Sequence, residues 1–117
     1  MNEKPTNQKR CEALKRLMVQ IPEKRGLALK TASKLCHADL YKYRQESVIP
    51  LTSSLYSYGD AFQIEPCWLV MMAACIVDGH LKEEQALEIL GDWPRYKSQF
   101  ENVCRYAIQE AVEKCSS

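Results

Sequence analysis

Residues 65–79 read Glu-Pro-Cys-Trp-Leu-Val-Met-Met-Ala-Ala-Cys-Ile-Val-Asp-Gly. Pro66 suits the first turn of a helix, and Gly79 is a natural residue just past the end of one. The residues between are apolar nearly all round, which places this helix at the centre of a domain. The run from Cys67 to Val77 is too short to span a bilayer.

Working outward, the punctuation on both sides is helical. A fifth helix covers about 82–90, with Glu83 and Glu84 complementing its positive end and Gly91 stopping it. Asp92 caps a sixth helix, and Pro94 sits in its first turn. Tyr96, Phe100, Val103, Cys104, Ala107, Ile108, Ala111, Val112 and Cys115 give that helix an apolar stripe. Toward the N-terminus, Pro50 opens a third helix carrying Leu51, Leu55 and Tyr58 and reaching toward Phe62, with Gly59-Asp60 weakening its end. A second helix runs from about Glu23 into the forties, with Leu29, Ala32, Leu35, Cys36, Leu40 and Tyr43 on one side. The first, capped by Thr6 or Asn7, runs to about Gln20 with Cys11, Leu14, Leu17, Met18 and Ile21 on one face. Pro22 is expected to end it and to start the next. No stretch alternates in the manner of a strand. The expected class is all-α: a compact bundle of five to six helices. Residues 1–5 are expected to form a flexible leader, and 6–117 a single domain, as befits 117 residues.

The six cysteines, Cys11, Cys36, Cys67, Cys75, Cys104 and Cys115, are even in number and spread end to end. That pattern reads as a framework of three disulfides made in an oxidising compartment. Zinc would need close pairs such as C-x-x-C, and none exists. Cys67 and Cys75 share a helix, about 12 Å apart along its axis, and Cys104 and Cys115 are further apart on another. Neither pair can bond internally, because a disulfide needs Cα atoms within about 7 Å. Of 15 connectivities ten survive. Cys11–Cys67, Cys36–Cys104 and Cys75–Cys115 is one allowed set. The start, Met1 to Pro5, is polar and is not a signal peptide, so a secreted protein is expected here in mature form behind an initiator methionine. There is no N-x-S/T acceptor for N-glycosylation.

Chemistry is sparse. The chain has no phosphate loop, no G-x-G-x-x-G, no H-E-x-x-H and no G-x-S-x-G. His37 neighbours Cys36, but an oxidised cysteine is no nucleophile, and His80 follows Gly79 at a helix end. Residues 78–84 lack the alternating oxygen ligands of a calcium loop. No enzyme activity, cofactor or metal is expected.

Three features point to binding. Residues 1–47 carry eleven Lys and Arg against five acids, and residues 48–117 five against ten. The basic half, with Lys9, Arg10, Lys15, Arg16, Lys24 and Arg25, can steer an acidic partner or hold a polyanion; equally, it can be the solvated face of two amphipathic helices. Tyr41, Tyr43, Arg44, Tyr56 and Tyr58 are of the residue types enriched at interface hot spots; the alternative is rings packing the core edge with hydroxyls in water. Trp68, Met71 and Met72 can line a pocket for an apolar ligand, or can simply be core. Nucleic acid and membrane partners are not expected.

Six cysteines on six short helices resemble the insect odorant-binding proteins. That family has three residues between its second and third cysteines and eight between its fifth and sixth. Here 30 residues separate Cys36 from Cys67 and 10 separate Cys104 from Cys115, which sets ordinary membership aside. In size and style the chain resembles the anophensin and albicin group of mosquito salivary proteins, over the whole span from Cys11 to Cys115. That resemblance implies a secreted blood-feeding factor that binds host plasma proteins. It would inhibit the alternative complement pathway at the C3 convertase, or contact activation of the kallikrein–kinin system, and so serve haemostatic or immune evasion. The odorant-binding likeness implies instead a carrier of small hydrophobic ligands. On the first reading Tyr41, Tyr43, Arg44, Tyr56 and Tyr58 contact the partner, and the basic N-terminal half steers encounter.

Overall fold

The computed structural model describes residues 4–45 and 47–116 of the chain. Six α-helices follow one another: α1 (Thr6–Lys24), α2 (Leu29–Cys36), α3 (Thr52–Phe62), α4 (Pro66–Val77), α5 (Glu83–Gly91) and α6 (Trp93–Ser116). A 3-10 turn, Leu40–Arg44, lies between α2 and α3. No strand occurs among the described residues, and the all-α class is shown. Of the expected leader, residues 1–3 lie outside the described residues. Lys4 is tied down, its Nζ donating to Glu12 Oε1 at 2.8 Å, and Pro5 directly precedes α1.

α1 is the spine of the bundle. Ala13, Leu17, Met18 and Ile21 are fully buried along it, the spacing expected of a core-facing helical stripe. α4 crosses it antiparallel, since Asp78 at the end of α4 meets Arg10 near the start of α1, Nη2 to Oδ2 2.9 Å. α5 runs alongside, with Glu83 near its start accepting from Arg16 Nε at 2.7 Å and the Leu90 carbonyl near its end accepting from Arg25 Nη2 at 2.9 Å. Trp68, Trp93 and Phe100 close the core from the α6 side, with ring centroids 5.3 to 5.7 Å apart.

Several expectations need correction. Pro22 does not end the first helix. It lies inside α1, which runs on to Lys24, and Gly26 then breaks the chain at φ +78°. The second helix does not reach the forties: α2 stops at Cys36, where His37 adopts the left-handed conformation at φ 55°. Its N–H and that of Ala38 turn back to the carbonyls of Lys34 and Ser33, closing the helix as a glycine would. α4 is not wrapped on all sides. Trp68, Leu69, Met72 and Ala73 are buried, whereas Cys67, Val70 and Met71 are exposed. The Gly79 end matches expectation as a Schellman motif, with His80 N–H to Cys75 O at 2.9 Å and Gly79 N–H to Ile76 O at 3.2 Å.

The structure joins none of the six cysteines in a disulfide, so it lends the expected cross-linked framework no support. Cys36 behaves as a small core hydrophobe. It is fully buried, its Sγ reaches only the carbonyls of Ser33 and Ala38, and burial pushes its thiol pKa up. The interlocked pairing fails on geometry. No Cα of α6 comes within 8 Å of α2 or α4, which separates Cys36 from Cys104 and Cys75 from Cys115. Cys11 faces the Asp78 end of α4, and Cys67 sits at the opposite end.

Candidate functional site

The 3-10 turn decides which aromatic residues meet solvent. In a 3-10 helix residues three apart are eclipsed. Leu40 and Tyr43 therefore share the inward side and are buried, while Tyr41 and Arg44 share the outward side and are exposed. Asp39 fixes the start of the turn by accepting from the Tyr41 N–H at 3.1 Å, and Ser33 Oγ accepts from the Leu40 N–H at 3.1 Å. The Arg44 guanidinium stacks over the Tyr41 ring, 5.5 Å from its centroid. Among the described residues Arg44 makes no ion pair.

The turn packs against α1, and an open groove of about 430 Å³ runs between them. Glu12, Lys15, Arg16, Val19 and Gln20 form one wall, and Tyr43, Arg44 and Gln45 the other; the Glu12 carboxylate is paired with Lys4. Lys15 is a clamp: it is only 3% exposed, and its Nζ donates to the Gln45 carbonyl at 2.6 Å. The groove thus joins part of the basic half to part of the tyrosine cluster. It offers a cationic planar fork, an aromatic face and amide groups, the donors that recognise carboxylates.

Three of the five proposed contact residues, Tyr41, Arg44 and Tyr56, are exposed. Tyr56 lies on α3, which does not touch the 3-10 turn, so it stands apart from the other two. Tyr43 and Tyr58 are buried, Tyr43 keeping an edge on the groove and Tyr58 none. Tyr58 is fully buried, its hydroxyl donates to the Met18 carbonyl at 2.8 Å, and burial raises its phenol pKa far above the usual value.

The steering set divides likewise. Arg10 is paired with Asp78 and Arg16 with Glu83. Lys15 is buried. Arg25 donates to the carbonyls of Phe62 at 2.7 Å and Leu90 at 2.9 Å, and burial lowers its pKa. That makes Arg25 a rivet between the ends of α3 and α5. Lys24 remains exposed and Lys9 half-exposed.

Two apolar surfaces meet solvent, one that the sequence reading missed and one that it read as a helix stripe. A groove of about 360 Å³ between α1, the 49–50 segment and α4 is lined by Cys11, Leu14, Ile49, Pro50, Val70 and Ala73. Ile49 and Leu51 are 72% and 69% exposed; the apolar run Val48-Ile49-Pro50-Leu51 ahead of a helix was the available signal. The second surface is the far half of α6, exposed at every position from 105 to 115. Trp68 and Met72 are core, and Met71 points to solvent. No group of three or more His, Cys, Asp and Glu able to hold a metal occurs among the described residues. No single helix there is long and apolar enough to cross a membrane.

Comparison with protein-family models, with curated proteins and with solved structures returns no match.

Proposed function

We propose that this protein works by binding, and that the groove between α1 and the 3-10 turn takes an extended acidic segment of a partner protein. The stacked Tyr41–Arg44 pair carries the reading. The eclipsed geometry of the turn holds both side chains outward, and Arg44 lines the open groove with Arg16 on the opposite wall. A carboxylate entering there meets the Arg44 fork and slides against an aromatic face already in place, which lowers the ordering cost of association.

The finer reading rests on the likeness to anophensin and albicin. The protein is then a secreted inhibitor that occludes a host plasma protease complex, the alternative-pathway C3 convertase first and contact activation second. The extracellular setting and the three-disulfide framework belong to the same reading and draw support from the cysteine count alone. If the thiols do oxidise, Cys11 and Cys75 are the pair whose helices lie against each other with their cysteine-bearing ends together. Polyanion binding draws little support, since Arg10, Lys15, Arg16 and Arg25 already have protein partners.

The test compares wild type with Tyr41→Ala/Arg44→Ala, both exposed positions, in capture from plasma and in alternative-pathway lysis of red cells. The wild type should capture a defined partner and block lysis at micromolar concentration. The variant should be weaker by tenfold or more, about 1.4 kcal/mol. Normal lysis with wild type removes the convertase reading, and equal capture by the variant removes the groove. One observation favours a carrier as the second reading, namely the apolar groove beside Ile49 and Val70. Saturable displacement of a fluorescent apolar probe by lipids, lost in Val70→Glu, would select it.

A further inference from the structure

The groove between α1 and the 3-10 turn does not stop at Arg44. Val19 and Arg44 also line a second hollow, of about 190 Å³, at the corner where α1 gives way to α2. Glu23, Leu27, Ala28 and Leu29 complete it. Val19, Leu27 and Leu29 pack part of their surface on the core and stay half-buried, which gives the hollow an apolar floor. A ligand pocket that works alone has a volume of about 300–1,000 Å³. At about 190 Å³ this hollow suits one side chain, so it is a subsite of the longer groove and not a site of its own.

Glu12, Arg16, Val19 and Glu23 follow one another at steps of four, three and four, the spacing of one helix face. Glu12 to Glu23 covers 11 positions, about 16 Å along the axis. That length takes about five residues of extended chain at about 3.3 Å each. The charges along it differ in kind. Glu12 is neutralised by Lys4 and Arg16 by Glu83. Among the described residues Arg44 and Glu23 make no ion pair, and both are exposed. Arg44 stands where the two hollows meet, and Glu23 lines only the second. An occupant therefore meets an uncompensated cation, then an apolar hollow, then an uncompensated anion.

We propose that this order sets the partner's sequence. An extended segment places an acidic side chain at Arg44, a Leu- or Ile-type side chain in the hollow of Val19, Leu27 and Leu29, and a basic side chain at Glu23. Side chains of an extended chain alternate in direction, so the three that enter the groove are spaced two apart. The aliphatic residue is the anchor, because an exposed ion pair contributes little by itself, whereas a side chain that leaves water for an apolar hollow contributes in proportion to the area it buries. Glu23 acts by exclusion as well, since it repels a second acid placed beyond the anchor. The proposal rests on the reading of the groove as a site for an acidic segment, and it adds the aliphatic and basic positions to it.

The test titrates nitrogen-15-labelled protein with capped peptides Gly-Ser-Glu-Ser-Leu-Ser-Lys-Ser-Gly and the same sequence reversed, since the segment can run either way along α1. One of the two orders should shift the amide signals of Val19, Glu23, Leu27, Leu29 and Arg44. Replacing the peptide's Leu by Gly should weaken binding at least fivefold, and replacing its Lys by Glu at least threefold. Glu23→Lys should reverse the second preference, so that the peptide with Glu in place of Lys binds tighter. Ala28→Phe, at an exposed position that lines the hollow, should remove the advantage of Leu over Gly and leave the Gly peptide's affinity unchanged. Both variants should keep the circular dichroism of the parent. Equal binding of the Leu and Gly peptides, with Arg44→Ala still weakening both, overturns the subsite and spares the groove. A preference between Lys and Glu that Glu23→Lys does not change overturns the assignment of Glu23. No binding by any of the peptides overturns subsite and groove together.

Discussion

The Tyr58 hydroxyl donates to the Met18 carbonyl at 2.8 Å across 40 positions of sequence, in the buried interior. The reason lies four residues beyond Met18. Pro22 sits inside α1 and has no N–H, so the Met18 carbonyl lacks the donor its place in the helix calls for. Tyr58 supplies it from α3. A proline expected to break the helix is tolerated because a tyrosine from another helix satisfies the orphaned acceptor.

Tyr58→Phe should therefore cost about 1–3 kcal/mol, the range for leaving a buried polar group unpaired. The double cycle with Pro22→Ala sharpens this. Pro22→Ala brings back a backbone donor for Met18, so the cost of Tyr58→Phe should shrink in that background, by a coupling of about 0.5–3 kcal/mol. Urea unfolding of the four proteins measures it. Strict additivity would mean that the two residues do not serve the same carbonyl.

Backbone geometry yields a ranked set. A Cβ on Gly59 would lie 2.5 Å from the Ile64 carbonyl oxygen and 3.1 Å from Pro66 Cδ, both fixed parts of the α3–α4 corner. Gly59→Ala should destabilise by about 2–4 kcal/mol, as overpacking against immobile atoms does. Gly79→Ala meets nothing within 4 Å but must hold φ +83°, costing about 1–2 kcal/mol. His37 and Gln63 hold φ 55° and 59° with side chains, so His37→Gly and Gln63→Gly should each be neutral or stabilising by up to about 1 kcal/mol. Thermal unfolding tests the order. A Gly59→Ala protein as stable as wild type would mean that the corner relaxes freely.

The same particulars show what was legible beforehand. Apolar stripes and the Pro66, Gly79 and Pro94 signals located most helices, because those signals are local. Three features were not local. The survival of α1 past Pro22 depends on Tyr58, 36 residues further along. The end of α2 falls at a histidine in the left-handed conformation, where no glycine marks it. The turn at 40–44 is 3-10, and its three-residue repeat sends Tyr43 inward and Tyr41 outward, an assignment that the 3.6-residue period of an α-helix cannot make. Of the proposed contact residues, Tyr41 and Arg44 were legible by type. Their stacking, and the loss of Arg10, Arg16 and Arg25 to structural pairs, depended on contacts far apart in sequence.

Acid should weaken the fold through two carboxylates. At Glu65, burial works against ionisation, but hydrogen bonds from Lys97 and Trp93 outweigh it and hold the pKa below the ordinary value. At Glu83, burial is likewise outweighed, by Gln20 and Arg16. A carboxylate depressed in the folded state contributes stability above its unfolded pKa, about 4.3, and loses it as pH falls through the folded value. Lys97 is raised, chiefly by Glu65, so its contribution is present below about pH 10.4 and fades above it. The urea midpoint should be flat from about pH 6 to 9 and fall below about pH 4.5. Glu65→Gln and Glu83→Gln should each flatten the acid limb. An acid limb unchanged in both variants would assign it to other groups.

The far half of α6 should be the least protected helix in the monomer. Residues 105–115 are all exposed, and an unsupported helical segment of about 12 residues is marginal in water. Amides of 107–115 should exchange with solvent far faster than those of 95–101, whose turn is anchored by Trp93 and by the Lys97–Glu65 ion pair. Ending the chain after Cys104 should shift the unfolding free energy by less than about 1 kcal/mol, because no buried contact is lost. Hydrogen exchange read by NMR measures the difference, and protection of 107–115 equal to that of 95–101 would mean that the tail is held by more than its link to α5.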